Sequence, residues 1–293
     1  PFLLFLSWGP PHNPYHTAPR PYRDLYDPED IQLRPNVPEE QATAARDMIA
    51  GYYAHCTALD NCVGRLMETL DRSGIAENTL FVFTSDHGDL LGSHGARNKQ
   101  QLYDESVRVP FLLHYPPMGN REVDFQIDAQ DIMPTLLRLC ELDVPGTVEG
   151  RDLSPLVRGE CIQHEDEVIL SCYVPFGQWT RSMGGRECRG LRTERYTYVR
   201  SLDGPWLLFD NLQDPYQMNN LIPSQREGLV RELDQRLEGM LERTNDRFLT
   251  AEEYLARWGY RVNESLTTPT VKFPDQVDPE QYRTIEQWEE SGS

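Results

Sequence analysis

The stretch FVFTSDHGDLLGSHGARNK, residues 81–99, decides how the rest of the chain is interpreted. Its first four residues are apolar or β-branched, which predicts a strand, and the chain then passes directly to Asp86 and His87. A structural turn requires only Asp-Gly or Asn-Gly. The three glycines, the second histidine His94 and the terminal Lys99 therefore indicate chemistry in addition to a turn.

The segments on either side of this stretch alternate between strand and helix patterns. The apolar run at residues 1–8 predicts a buried strand, and residues 38–72 carry apolar side chains at three- and four-residue steps, which predicts a helix. Residues 108–116 predict a second central strand, and a short amphipathic helix follows with Asp128 as its N-cap. This alternation is typical of an α/β layered core, which we assign to residues 1–150.

The pattern changes beyond residue 150. The segments DEVILSCYV, ECRGLRTERYTYVRS and PWLLFD predict strands joined by turns, and residues 225–243 predict a helix. We therefore expect a small antiparallel sheet with one helix over residues 151–260. The polar, proline-punctuated residues 261–293 predict an extended tail.

Charge and hydropathy exclude several classes of protein. The chain has 293 residues and a net charge of −19, with no local basic patch, so we expect no binding to duplex nucleic acid. The longest apolar run is far shorter than the ~20 residues of a membrane span. Because the chain opens inside an apparent strand and without Met, we expect it to be a fragment or a processed chain. The six cysteines form no metal-binding spacing, so we expect mostly free, buried thiols, with one or two disulfides left open.

Four side chains are candidates for a site at the sheet edge. Asp86 and His87 follow a strand, where ligands bind in open α/β sheets, and together they suit a metal ion. Lys99 follows a glycine-rich loop and suits an anionic, tetrahedral group, and His12 follows the first strand and suits an anion or a leaving oxygen. The alternatives are a turn cap for Asp86, a surface position for His87, a solvated loop lysine and an ordinary loop histidine.

Other residues have weaker patterns. His94 is interpreted either as a substrate contact or as structural, and Asp89 as a turn former. Trp179 and Arg181, in FGQWTRSMGG, are candidate sugar or anion contacts, with ordinary loop positions as the alternative. Nucleophile-elbow, Walker, HExxH and dinucleotide-binding motifs are all absent from the sequence.

Several of these motifs, in the same order, resemble the second half of the sulfatase family in the alkaline-phosphatase-like superfamily. They are SWGPPHNP, LDNCVGRLMETLDRSGIAENTLFVFTSD, the glycine-rich stretch with its lysine, ESVRVPFLLHYP, RGLRTERYTYVRS and LLFDNLQDPYQMNNLI. The resemblance extends to about residue 260. It implies a partial alkaline-phosphatase-like sheet core with a small C-terminal antiparallel α+β subdomain.

The resemblance also implies roles. Asp86 and His87 would be two ligands of a divalent cation, usually Ca²⁺, with Mn²⁺ or Mg²⁺ as alternatives. His12 and Lys99 would contact the sulfate oxygens, one of them assisting the leaving group, and His94 would be a further substrate contact. The family's formylglycine nucleophile and Asp-Asp pair have no counterpart here and are expected upstream of this chain. We therefore expect about half of an active site, inert on its own.

The resemblance leaves three functions open. The first is a sulfatase that acts on a sulfated small molecule or glycan, in an extracytoplasmic location. The second is a phosphonate monoester or phosphodiester hydrolase of the same superfamily, because His87 stands where many sulfatases have Asn. The third is a non-catalytic remnant. The substrate alcohol and the oligomeric state stay open.

Overall fold

The computed structural model describes residues 1–163, 165–224 and 226–259. The chain folds into seven α-helices, eight short 3₁₀ helices and six strands over this part. The helices are α1 Arg20–Arg23, α2 Ala42–Arg72, α3 Asp104–Val107, α4 Ala129–Leu139, α5 Ser154–Arg158, α6 Glu227–Arg243 and α7 Ala251–Trp258. The strands are β1 Phe81–Thr84, β2 Phe111–His114, β3 Glu167–Cys172, β4 Cys188–Thr193, β5 Tyr196–Ser201 and β6 Gly204–Asp210.

Helix α2 is the long helix that the apolar spacing predicted. It buries a stripe of small and apolar residues near its N-terminus, against which the segment around residues 15–31 packs. The helix ends where Ser73 donates its backbone N–H to Thr69 and where Gly74 adopts a left-handed φ of 68°. The helix therefore supports the proline-rich loop that carries His12.

Strands β1 and β2 form an antiparallel pair, with Phe81 opposite His114 and Thr84 opposite Phe111. Both strands were predicted, and both predictions are confirmed. The expectation that each is buried centrally in a sheet is wrong for the described part of the chain, because every residue of both strands is half-buried or exposed. The pair brings the residues that follow β1 to the start of β2.

The prediction of a buried strand at residues 1–8 is wrong for the described part of the chain. This segment has no strand hydrogen bonds in the structure, and Leu3 and Phe5 are 94% and 87% exposed. A strand requires a neighbour that pairs its backbone N–H and C=O groups. No strand among residues 1–163, 165–224 and 226–259 pairs with this segment, so its apolar pattern alone does not produce a strand here.

The predicted N-cap of helix α4 is confirmed. A carboxylate oxygen of Asp128 accepts the Ala129 N–H at 2.7 Å, and Asp131 accepts the Asp128 N–H at 3.0 Å, which completes a capping box. Asp131 is fully buried and also binds the guanidinium of Arg151 at 2.6 Å. This ion pair attaches the helix to the segment that leads into the C-terminal sheet.

The C-terminal sheet is antiparallel, as predicted, and the structure gives its strand order as β3-β4-β5-β6. Helix α6 packs on one face and buries a leucine row in a core with Tyr198; the row is Leu233, Leu237 and Leu241. The other face packs Val199 and Phe209 against Leu102, which lies just beyond the glycine-rich loop. This second core connects the sheet to the candidate site.

Some features of this region were not predicted. Helix α7 begins with a capping box of Thr250 and Glu253, although no helix was predicted there. All six cysteines are free thiols, but Cys140 and Cys161 are exposed rather than buried. The domain boundary at residue 150 stays a prediction, and the predicted tail at residues 261–293 lies outside the described residues.

Candidate active site

His12 and Lys99 form the closest pair among the predicted residues. The Nζ atom of Lys99 lies 2.7 Å from Nε2 of His12. A charged ammonium can only donate, so Nε2 of His12 accepts and its proton resides on Nδ1. That Nδ1–H has an acceptor in the Asn13 carbonyl oxygen at 2.9 Å. The two side chains, 87 residues apart in sequence, therefore meet in one defined tautomeric arrangement.

Asp86 and His87 form a second pair at the end of β1. Oδ2 of Asp86 lies 3.5 Å from Nε2 of His87, and the Asp86 side chain is 85% exposed. Nδ1 of His87 donates to the Gly88 carbonyl oxygen at 2.8 Å, which leaves Nε2 directed away from the backbone. The imidazole rings of His87 and His12 have centroids 6.0 Å apart, edge to face. The two pairs therefore form one cluster, as the sheet-edge prediction expected.

This cluster places one ammonium among polar side chains in an acidic chain. It brings together two imidazoles and the ammonium of Lys99, with the Asp86 carboxylate beside them. The chain as a whole has a net charge of −19. Within this cluster the Lys99 ammonium is the group that attracts an anion, and the imidazole nitrogens can exchange hydrogen bonds with it.

The loop between the two pairs has an unusual backbone. Four non-glycine residues in ten adopt a positive φ: Leu91, His94, Asn98 and Gln100. Such conformations cost roughly 1–3 kcal/mol each and are retained where surrounding contacts hold them. Gly88 is also required at its position, because a Cβ there would overlap the carbonyl oxygen of Glu105. The loop is therefore held in shape by specific contacts.

Asp89 provides one set of these contacts. Its Oδ1 accepts the backbone N–H groups of Leu91 and Asn98, both at 3.1 Å, and its Oδ2 accepts the Tyr15 hydroxyl at 2.7 Å. Tyr15 lies on the His12 loop, and Asn98 immediately precedes Lys99. Asp89 thus does more than form the predicted turn, because it ties together the two loops whose tips carry His12 and Lys99.

Gln178 provides a second support. Its side-chain Oε1 accepts the backbone N–H of Lys99 at 3.4 Å, and its backbone N–H donates to Oε1 of Gln100 at 2.9 Å. Gln178 belongs to the connection between β3 and β4, so a loop of the C-terminal sheet contacts the segment that carries Lys99. Neither Asp89 nor Gln178 was predicted to support the site, and no local sequence pattern indicates partners that lie this far away in the chain.

His94 lies in a neighbouring, buried network. Its ring stacks on Tyr103 with centroids 3.6 Å apart, and its Nε2 lies 3.1 Å from the Asn36 amide and 3.7 Å from Glu105. Burial raises the pKa of Glu105, but hydrogen bonds from His94 and Asn36 outweigh that effect and lower the pKa to about 2. Within the described residues these contacts are structural. The substrate role of His94 stays a prediction.

Trp179 and Arg181, which were considered as sugar or anion contacts, both make structural contacts in the described part of the chain. Trp179 is 5% exposed and stacks on Trp206, with ring centroids 5.7 Å apart. The Arg181 guanidinium binds Glu187 at 2.7 Å and Glu252 at 3.3 Å. The interpretation of Trp179 as a ligand contact is wrong, because its ring is buried. The Arg181 side chain is paired but 43% exposed, so its role as an anion contact stays a prediction.

Asp86 and His87 fit part of a metal site. A carboxylate oxygen and an imidazole nitrogen 3.5 Å apart can bind the same cation, and the hydrogen bond from Nδ1 of His87 orients its other nitrogen as a ligand. Ca²⁺ takes six to eight ligands, mostly oxygens. Within the part of the chain that the structure describes, no group of three or more His, Cys, Asp or Glu residues could hold a metal ion. The remaining ligands would have to come from elsewhere.

Comparison with known proteins gives the family. A family model for sulfatases matches residues 1–142, and a model described as N-sulphoglucosamine sulphohydrolase, C-terminal, matches residues 92–243. The chain belongs to the sulfatase family. It is 39% identical over 266 residues to an ulvan-active sulfatase from Formosa agariphila, across 89% of this chain and 52% of that protein. It is 30% identical to an endo-4-O-sulfatase from Bacteroides thetaiotaomicron, across 85% of this chain and 53% of that protein.

Solved structures agree with this assignment. A crystal structure of yidJ from Bacteroides fragilis, assigned to the sulfatases, superposes with a TM-score of 0.71 at 33% identity. The match covers 83% of this sulfatase-family chain and 54% of that one. The chain therefore spans about half the length of the relatives it matches. None of the helices in the described segments combines the length and apolar character that a bilayer crossing requires.

Proposed function

We propose that this chain supplies part of an active site that hydrolyses sulfate esters. The observation that carries the proposal is the 2.7 Å contact between Lys99 and His12, with Asp86 and His87 immediately beside it. A sulfate monoester carries one negative charge on a tetrahedral group, which matches a clustered ammonium and imidazole. Membership of the sulfatase family supports the same reaction.

Lys99 and His12 would contact different oxygens of the sulfate ester. The ammonium of Lys99 would hold a non-bridging oxygen of the sulfate and stabilise the charge that develops on it. The His12 ring, kept in place by its hydrogen bond to Asn13, would lie beside the bridging oxygen. One of these two groups gives a proton to the alcohol oxygen as the bond to sulfur breaks. The nucleophile, a formylglycine by family resemblance, is not encoded in this chain.

Asp86 and His87 would hold the divalent cation, Ca²⁺ in this proposal, with Mn²⁺ or Mg²⁺ as alternatives. A bound cation supplies positive charge that polarises the ester oxygens. The exposed carboxylate of Asp86 suits a hard cation, whereas the imidazole of His87 also suits a transition metal. The Nδ1 hydrogen bond of His87 to Gly88 keeps the ring in an orientation that makes Nε2 available.

Sulfated glycans are the substrate class that the relatives favour. Two relatives are named for ulvan and for endo-4-O-sulfate groups. A structural neighbour at 25% identity and a TM-score of 0.60 was solved in complex with D-glucosamine-2-N,6-O-disulfate. We therefore propose a sulfated polysaccharide or oligosaccharide as substrate. An extracytoplasmic location would suit a polymeric substrate of this kind.

One observation supports a second reaction. His87 occurs where many sulfatases have Asn, and phosphonate monoester hydrolases are among the proteins of similar fold. One from Agrobacterium radiobacter has a TM-score of 0.65 at 22% identity, which concerns the fold alone. Hydrolysis of phosphonate monoesters or phosphodiesters is therefore the alternative, and a non-catalytic remnant is the third candidate.

The proposal is tested with the protein expressed from the complete reading frame that encodes this chain. Sulfate release from ulvan and from sulfated glycosaminoglycans would be measured beside hydrolysis of a phosphonate monoester, such as phenyl phenylphosphonate. We expect faster sulfate ester turnover, loss of activity in a chelator and recovery with added Ca²⁺. Faster phosphonate hydrolysis would support the alternative, and no hydrolysis of either class would support the remnant. The 293-residue chain by itself is expected to release no sulfate.

A further inference from the structure

Two thiols lie opposite each other where the loop between β3 and β4 begins and ends. Cys172 is the last residue of β3 and Cys188 the first of β4, and the two are direct partners in the antiparallel register. Directly opposed residues in antiparallel strands have Cα atoms about 4.5 or 5.5 Å apart, and both distances are within the range of about 4.4–6.8 Å that a disulfide requires. Both residues are free thiols in the structure.

The backbone around these thiols is held in place independently. Nη1 of Arg189 donates to the carbonyl oxygens of both Cys172 and Cys188, at 3.2 and 2.9 Å. Arg189 is fully buried and anchored by Asp246 at 2.6 Å. The two strand ends are therefore fixed relative to each other, so that a covalent bond between the sulfurs requires little backbone movement.

The two thiols also differ in a way that suits oxidation. Cys172 is half-buried and can meet a reagent, whereas Cys188, directly opposite, is fully buried. The neighbouring Cys188 thiol lowers the pKa of Cys172, and Cys172 together with burial raises the pKa of Cys188, so the thiolate is favoured at the more accessible sulfur. Cys56 and Cys62 serve as a control pair that should not form a disulfide. They lie six residues apart on α2 and do not share a face of the helix.

We propose that Cys172 and Cys188 form a disulfide in an oxidising environment, closing the base of the loop at residues 173–187. The Cys172 thiolate attacks one sulfur of a small disulfide such as oxidised glutathione and releases one glutathione thiolate. Cys188 then attacks the Cys172 sulfur and expels the second glutathione as a thiolate, which takes up the proton that Cys188 loses. Two electrons pass from the two cysteines to the oxidant.

The disulfide would restrain the loop at residues 173–187, which contacts the candidate site; this restraint is called the brace below. The loop that it closes contains Gln178, whose side chain accepts the backbone N–H of Lys99 and whose own N–H donates to Gln100. This consequence for the site rests on the proposed function, whereas formation of the bond does not. Oxidation would therefore reduce the motion of the segment that supports Lys99.

Mass spectrometry tests the bond directly on the 293-residue chain. The protein would be incubated with oxidised glutathione, alkylated without reduction, digested and mapped. We expect a peptide pair joined through Cys172 and Cys188, lighter than the two thiol peptides by two hydrogen atoms, with Cys56 and Cys62 alkylated. Alkylation of both Cys172 and Cys188, or their linkage to other cysteines, would overturn the proposal.

Two further measurements test the brace. Hydrogen exchange in residues 173–187 should be slower in the oxidised protein, and the unfolding midpoint should fall on reduction by roughly 5 °C or more, as expected for a ring of this size. The double variant Cys172→Ser/Cys188→Ser should not respond to reductant. A linked pair without any change in exchange or midpoint would refute the brace. None of these readouts depends on turnover, so they fail independently of the proposed function.

Discussion

Replacing Asp89 with alanine should destabilise the loop that presents Lys99 far more than its position in a turn suggests. The carboxylate accepts three hydrogen bonds, from Leu91, Asn98 and Tyr15. Two of these partners, Leu91 and Asn98, hold a positive φ that is unfavourable for residues with a Cβ. Alanine removes every acceptor at once and leaves this backbone without its support.

The size of the effect follows from these contacts. A hydrogen bond to a charged group contributes about 1.5–3 kcal/mol when it is fully protected from water. Asp89 is half-buried, so water can replace part of each interaction, and we halve the lower figure of about 1.5 to about 0.8 kcal/mol per contact. The expected loss for Asp89→Ala, which removes three contacts, is then about 2 kcal/mol. Tyr15→Phe, which removes one contact, should lose about 1 kcal/mol.

Asp86→Ala is the matched control. It is the same substitution three residues earlier, on a side chain that is 85% exposed. Its stability should stay within about 0.5 kcal/mol of the wild type, as for most exposed substitutions. Urea denaturation of both variants measures the difference, and hydrogen exchange at the Asn98 and Lys99 amides locates it. Equal stabilities for Asp89→Ala and Asp86→Ala would refute the role assigned to Asp89.

Three further predictions concern the surrounding structure. Arg189→Ala should cost about 3–5 kcal/mol in urea denaturation because it leaves a buried carboxylate unpaired, whereas the exposed Arg20→Ala should cost less than about 1 kcal/mol; equal losses would contradict this. Glu105 has a folded pKa of about 2, below the usual 4.5, so its stabilisation is present above pH 4.5 and is lost as the pH falls through 2. Wild type should therefore lose about 2–3 kcal/mol more than Glu105→Gln between pH 5 and pH 2, and parallel curves would count against the network. Trp179→Ala should cost about 3–5 kcal/mol, and a smaller loss would indicate that the ring is not a core residue.

The spacing of apolar residues was enough to predict the two longest helices and the six strands. The apolar spacing of α2 and α6, the strand patterns of β1 to β6 and the cap at Asp128 all appear in the structure. Each of these signals is local, because it depends on residues within one or two turns of each other. The same reasoning failed at residues 1–8, where an apolar pattern requires a partner strand that the described residues do not contain.

Sequence reasoning predicted that the candidate residues would lie together but did not predict the residues that support them. Asp86, His87 and His12 were expected at one sheet edge and Lys99 at the end of the glycine-rich loop beside them, and the four side chains do lie together. Their catalytic and metal-binding roles stay predictions. Their supports join residues far apart in sequence, such as Tyr15 with Asp89, 74 positions away. No local periodicity encodes contacts of that kind. The same long-range packing buried Trp179, which the segment FGQWTRSMGG had suggested as a sugar or anion contact.

The most direct test of the proposed site is the effect of Lys99→Ala and His12→Ala on sulfate release by the protein from the complete reading frame. Both variants should lose about 100-fold or more in kcat/KM, the size expected when one group that stabilises developing charge is removed. Their unfolding midpoints should match the wild type, since Lys99 and His12 contact each other rather than the core. Full sulfate release by either folded variant would contradict the assignment of this cluster as the sulfate-binding half of the site.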